Sequence, residues 1–96
     1  MDVIVERQCA LDVHKRQVTA CVRVPGPERE RVEHVEQFRT TVRGLLVLRD
    51  WLQVHQVTHV VMEATGEYWK PLWYLLEDEF ELMLVNARHV KQVALV

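Results

Sequence analysis

Two acidic side chains interrupt apolar runs in a way that suggests metal chemistry. Asp12 stands within Cys9-Ala10-Leu11-Asp12-Val13, and Glu63 ends the run His59-Val60-Val61-Met62 just before Ala64-Thr65-Gly66. Val60 and Val61 favour a buried strand, and Gly66 admits backbone angles closed to other residues, so Glu63 is expected where strand gives way to loop. In open sheets that include parallel strands, ligands bind outside the carboxyl ends of those strands. If the two strands pair side by side, Asp12 and Glu63 converge and could share a divalent cation. One carboxylate alone makes no site, so the elements that bring the two together decide the reading.

Composition narrows the possibilities. The 96 residues imply one small domain, spanning 1–96, that buries about two-thirds of its unfolded surface. Nearly half the residues are hydrophobic, yet no apolar run approaches the roughly 20 residues that a membrane span needs. No signal-peptide pattern opens the chain, which leads to the expectation of a cytoplasmic protein with no membrane association and with Cys9 and Cys21 as free thiols. The two cysteines match no zinc motif, and His34, His55 and His59 share no metal-ligand spacing. A net charge of −2 lacks the basic footprint of a self-sufficient nucleic-acid binder. Charge is uneven, however: Glu77, Asp78, Glu79 and Glu81 cluster, and after Glu81 only Arg88, His89 and Lys91 follow, with no acid.

The elements that must position the acids can be read in order. Residues 3–13 form a first strand centred on 9–13, and Gln17 to Val24 a second, with Val18, Ala20 and Val22 alternating against Thr19, Cys21 and Arg23. His14-Lys15-Arg16 between them forces a tight antiparallel hairpin. Pairing Val13 with Gln17 across it would put Cys9 opposite Cys21. Pro25-Gly26-Pro27 breaks the chain before an exposed edge strand over Arg31 to Phe38. Thr40 or Thr41 caps a helix running to about His55, in which Leu45, Leu48, Trp51 and Leu52 recur at helical spacing. A fourth strand, Thr58 to Met62, follows that crossover. Pro71 suits the first turn of a second helix with a stripe of Trp69, Leu72, Trp73 and Leu76; Phe80 to Val85 is a fifth strand, and Asn86 can cap a third helix. Right-handed crossovers then give a mixed α/β sheet of order 3-2-1-4-5, a three-layer arrangement of the ribonuclease H type, with both acids meeting at one edge.

Taken together, the blocks Leu11-Asp12-Val13-His14-Lys15, Thr40-Thr41 before Gly44-Leu45, Trp51-Leu52, Met62-Glu63-Ala64-Thr65-Gly66-Glu67-Tyr68-Trp69-Lys70-Pro71 and Val85-Asn86-Ala87-Arg88-His89-Val90-Lys91 carry a resemblance. The chain resembles, over nearly all its length, the N-terminal RuvC-like catalytic domain of DEDD-type transposases of bacterial insertion sequences, family one-ten. The resemblance implies that Asp12 and Glu63 are the first two acids of a tetrad that binds divalent metal, Mg²⁺ or Mn²⁺, and that cuts and rejoins DNA strands. It also implies DNA and a guide-like noncoding RNA as partners of the full-length protein. Mg²⁺ takes hard oxygen ligands, and two ions can activate an attacking oxygen and steady a leaving one in phosphoryl transfer.

The family's third and fourth acids follow the Asn-x-Arg-His-Val-Lys block, and here that block continues as Gln92-Val93-Ala94-Leu95-Val96. The domain is therefore expected to be incomplete at its C-terminal end, and the chain alone to be inactive, because two carboxylates without their partners hold Mg²⁺ weakly. The alternative is a non-catalytic remnant that associates with itself or with intact transposase. A third reading, an actin-like phosphotransferase lobe, suffers from Val13-His14-Lys15-Arg16 after the acid, where a phosphate-cradling hairpin needs glycine. His14 and Lys15 are either solvated turn residues or a DNA phosphate contact. Thr65 and Gly66 shape a turn and secondarily offer amides to a phosphate. Arg88, His89 and Lys91 open a helix where an anion would find amides, dipole and basic side chains, or else form a solvated face. Tyr68, Trp69 and Trp73 read as core or interface aromatics. Val90, Val93, Ala94, Leu95 and Val96 have little to cover them and the fifth strand is an open edge, so a homo-oligomer is expected.

Overall fold

The fold is taken from a computed structural model, which describes residues 6–64 and 66–86. Five strands and two helices follow in the order β1 (Gln8–Val13), β2 (Gln17–Pro25), β3 (Arg31–Arg39), α1 (Val42–Val54), β4 (His59–Ala64), α2 (Lys70–Leu76) and β5 (Glu81–Asn86). They form one sheet of order β3-β2-β1-β4-β5. The first three strands are antiparallel hairpin neighbours, and β1, β4 and β5 run parallel. This is the expected ribonuclease H-like mixed sheet. Short connections can only make hairpins, whereas the longer ones carry a helix and return the chain parallel. Both crossovers step in the same direction across the sheet, so right-handedness puts α1 and α2 on the same face.

That face holds the core. Alternate positions of the central strands are buried: Cys9, Leu11 and Val13 on β1, Val18, Ala20, Val22 and Val24 on β2, Val60, Met62 and Ala64 on β4. Leu45, Leu48 and Leu52 of α1 and Leu72 and Leu76 of α2 pack onto them in a single cluster. Each fully buried leucine contributes about 1.5–3 kcal/mol over leaving it exposed. α1 begins where its cap dictates: the Thr41 side chain accepts a 3.0 Å hydrogen bond from the Gly44 amide. A Cβ on Gly44 would collide with the Arg39 carbonyl oxygen, so glycine is what lets the helix start so close to the end of β3. Pro71 lies in the first turn of α2, and Trp69 and Trp73 meet edge to face, their ring centroids 5.8 Å apart. Among the described residues no helix is long and apolar enough to cross a membrane.

Three expectations need correction. The β1–β2 register pairs Val13 with Val18 and Cys9 with Val22, so Cys21 lies opposite Ala10 and the two thiols are on opposite faces. The apolar pattern decides this, because pairing Val13 with Gln17 would align Gln17, Thr19 and Cys21 with the buried side of β1 in place of Val18, Ala20 and Val22. The turn is correspondingly closed by the His14 amide donating to the Gln17 carbonyl at 2.9 Å. Next, β4 runs on to Ala64, so Glu63 lies inside the ladder and not beyond its end; Ala64 is buried and pairs with Val13. Finally, β1 begins at Gln8, with Glu6 and Arg7 outside it. The third helix expected after Asn86, and with it the third layer, lies outside the described residues.

Candidate active site

β1 and β4 pair in parallel with Asp12 as the partner of Glu63. Their sequence neighbours Leu11, Val13, Met62 and Ala64 face the helices, so alternation sends both acids to the opposite face, which the described residues leave open. Side by side on strands about 4.8 Å apart, the two carboxylates share one row, Gln37, Thr19, Asp12, Glu63, Val85, one step from the carboxyl ends of the parallel strands. The Asp12 side chain is 56% exposed, so it is open to water and to phosphate oxygens. Its Oδ2 lies 3.0 Å from Nε2 of His14 in the hairpin turn. A protonated His14 partly neutralises the acid; a neutral one can donate to it and fix its rotamer.

The donor set is of the hard, anionic-oxygen kind that magnesium and manganese accept. His14 touches Asp12, but among the described residues no group of three or more His, Cys, Asp or Glu is arranged to hold a metal ion. Two carboxylates are thus what this part of the chain offers a cation. The remaining ligands would be water or substrate oxygens.

Of the other residues singled out from sequence, Lys15 is exposed in the turn beside Asp12, and its carbonyl accepts from the Thr40 hydroxyl at 2.7 Å. Gly66 is exposed, with φ of 70°, in the turn after β4, a conformation that asks for glycine. Thr65, Arg88, His89 and Lys91 lie outside the described residues. Arg16 and Arg39, given no role from the sequence, come to the end of the sheet where the acid-bearing strands finish, and Arg43 follows at the start of α1 on the helix-covered side. The available signal was that residues 13–27 and 37–49 contain no acid.

Two titratable groups away from the acids are perturbed. Burial, reinforced by the neighbouring Cys21 thiol and opposed by the Cys21 backbone, pushes the Cys9 thiol up to about 12. On the helix-covered face, His34 of β3 stacks on His55 at the end of α1 with ring centroids 4.5 Å apart. Trp51 meets His55 edge-on at 4.9 Å, and Arg7 Nη1 donates to the His55 carbonyl at 2.8 Å. Burial first, then His34 and Arg7, lower the His55 pKa. No sequence spacing announced this pair, which depends on the helix returning across the sheet edge.

A family profile described as Transposase, of the DEDD type of insertion-sequence family one-ten, matches residues 9–95. No curated protein sequence matches the chain. Among solved structures, the chain is similar to the Fowlpox virus resolvase crystallised with its substrate Holliday junction DNA, at a TM-score of 0.59 and 11% identity. That likeness covers 83% of this chain and 60% of the resolvase. An exopolyphosphatase from Cytophaga hutchinsonii is similar at a TM-score of 0.54 and 14% identity, over 86% of this chain and 35% of that one. The chain thus spans less than two-thirds of either neighbour, and at these identities the likeness is one of fold.

Proposed function

The chain belongs to the DEDD transposase family of insertion-sequence type one-ten, and we propose that it supplies the first two metal-binding acids of a domain that cuts and rejoins DNA. The observation that carries this reading is the in-register pairing of Asp12 with Glu63 on adjacent parallel strands, both directed to the open face. Asp12 and Glu63 would hold Mg²⁺ or Mn²⁺, which when bound supplies Lewis-acid stabilisation of charge on a phosphoryl oxygen. The chain's own residues orient and admit. The strand ladder fixes the spacing of the two acids, His14 holds the Asp12 carboxylate, and exposed Asp12 beside half-buried Glu63 leaves room for a phosphodiester and water.

DNA is the substrate in this reading, in line with the resolvase of similar fold that was crystallised with Holliday junction DNA. A guide-like RNA is a further partner in this reading. In this reading the pair relies on further oxygen ligands from water or substrate, because two carboxylates do not satisfy an ion that dehydrates reluctantly. Paramagnetic broadening in NMR spectra on adding Mn²⁺ tests the centre. Amides of residues 11–14 and 62–64 should broaden first, and Asp12→Asn should remove the effect; broadening centred on the Glu77–Glu81 cluster would overturn the assignment. Metal-dependent nicking of plasmid DNA by the purified chain, lost in Asp12→Ala, would show that the pair suffices for cleavage.

A second reading is favoured by the row next to the acids. Val35, Cys21, Ala10, Val61 and Met83 line up across all five strands on the open face, with Val35 and Met83 both 61% exposed. Such a stripe suits self-association of a non-catalytic module, and a monomer by light scattering at high concentration would refute it. The phosphotransferase reading, which the exopolyphosphatase fold likeness raises again, is not supported. No residue of the turn after Asp12 has the positive φ of an anion-cradling loop, and none is glycine.

A further inference from the structure

The chain's small net charge conceals an uneven distribution. The sheet end where β1 and β4 begin collects Glu28 and Glu30 from the β2–β3 turn and Glu77, Asp78, Glu79 and Glu81 around the start of β5, acids that outnumber Arg7, Arg29 and Arg31 at the same end. At the end where β1, β3 and β4 finish stand Lys15, Arg16, Arg39 and Arg43, all exposed. Among the described residues, carboxylates engage Arg23, Arg49 and Lys70, whereas none engages any of these four.

Their setting is built. Arg16, Gln17, Arg39, Thr40 and Thr41 line an open cleft of about 460 Å³. Its floor is fixed by two hydrogen bonds that tie the hairpin turn to the end of β3: the Thr40 amide to the Arg16 carbonyl at 3.1 Å and the Thr40 hydroxyl to the Lys15 carbonyl at 2.7 Å. Arg43 follows in the first turn of α1, which has no acidic residue to complement the helix dipole. A cation there is locally unfavourable, and an anionic partner reverses this. Like-charged guanidinium groups drawn from a turn, a strand end and a helix start have no mutual attraction; a polyanion is what unites them.

We propose that Arg16, Arg39 and Arg43, with Thr40 and Thr41 beside them, form a phosphate-binding ridge that seats a DNA strand alongside the Asp12–Glu63 pair. The ridge rests on the reading of the chain as a DNA-acting transposase domain and adds where the backbone is held. Arg39 is two strands from Asp12, roughly 10 Å sideways, which is about three steps of a nucleic-acid strand at about 3.4 Å each. The acidic far end repels the same backbone, so the uneven charge also orients the approach.

The test is salt-dependent binding of a short fluorescent DNA duplex to the full chain, comparing Arg16→Gln, Arg39→Gln, Arg43→Gln, the triple variant, and Arg29→Gln at the far end as a control. The slope of log affinity against log salt should fall by about 0.9 for each ridge arginine and by about 2.7 for the triple variant, and should not change for the control. Thermal melts confirm that each variant is folded. Unchanged slopes in the ridge variants, with the parent chain binding DNA, overturn the ridge and leave the transposase reading intact. Loss of binding to an RNA of equal length, with DNA binding unaffected, makes RNA the occupant and overturns the DNA proposal. A parent chain without salt-dependent DNA binding overturns both. If Mn²⁺ fails to localise at Asp12 while the ridge variants lose DNA, the metal reading fails and the ridge stands.

Discussion

Asp12→Asn separates the metal from the fold, because it keeps the side chain's size and its ability to accept from His14 while removing one charge. The effect on the metal-free protein is small. Two carboxylates about 5 Å apart in water repel by about 0.8 kcal/mol, and losing one relieves that. The exposed Asp12–His14 pair that is weakened is worth at most about 1 kcal/mol in the other direction. The two nearly cancel. Magnesium then discriminates. A two-carboxylate site with Kd on the order of 1 mM gains about 1.4 kcal/mol at tenfold excess over Kd, and a domain of this size converts that into an upward Tm shift of about 6–11 °C. Melting by circular dichroism with magnesium or with chelator should show this shift in the parent chain and at most a small fraction of it in Asp12→Asn. Glu63→Gln should behave like Asp12→Asn, since the two share one row. Equal shifts in the parent and both variants would mean that the ion binds elsewhere, and no shift in the parent would mean that the pair does not hold it.

Other outcomes follow from the packing. Leu48→Ala, at a fully buried position of α1, should cost about 2–5 kcal/mol by denaturant unfolding, enough to make a small domain marginal. Gly44→Ala should cost about 1–3 kcal/mol, because its new methyl meets the Arg39 carbonyl group, whose carbon lies 2.9 Å from the added Cβ position. Iodoacetamide at mildly alkaline pH should label Cys21 and spare Cys9, whose thiol is buried and held protonated to about 12; mass spectrometry of the digested protein reads this directly. The lowered His55 pKa gives a signed pH dependence. Above about pH 6.5 it contributes nothing, and as pH falls the unfolded chain takes up the proton near its ordinary 6.5 while the folded chain resists, so stability declines until the folded pKa is passed. His55→Gln should flatten that decline in urea unfolding measured across mildly acidic pH.

Much of this was legible in the chain. Period-two alternation in β2, the threonine at the start of α1 and the leucine spacing within it each predict their own element, because burial of one face is a local constraint that residue order records. The hairpin lengths and crossover handedness then suffice for the strand order. The register between β1 and β2 could have been read as well: only one alignment puts Val18, Ala20 and Val22 beside Cys9, Leu11 and Val13, and counting loop residues missed what matching apolar faces would have found.

Other features had no such signal. That Asp12 pairs with Glu63, and not with a residue one position away, is set by how β1 and β4 slide along each other, and parallel strands joined through a helix carry no turn to fix the offset. The stacking of His34 on His55 and the gathering of Arg16, Arg39 and Arg43 at one end of the sheet are likewise meetings of residues from different elements, made by closure of the sheet and the return of α1 over it. Sequence by itself determined which faces are apolar and which residue types could do chemistry. Tertiary structure alone decided which of those residues meet, because proximity between distant segments is a property of packing and not of any one segment.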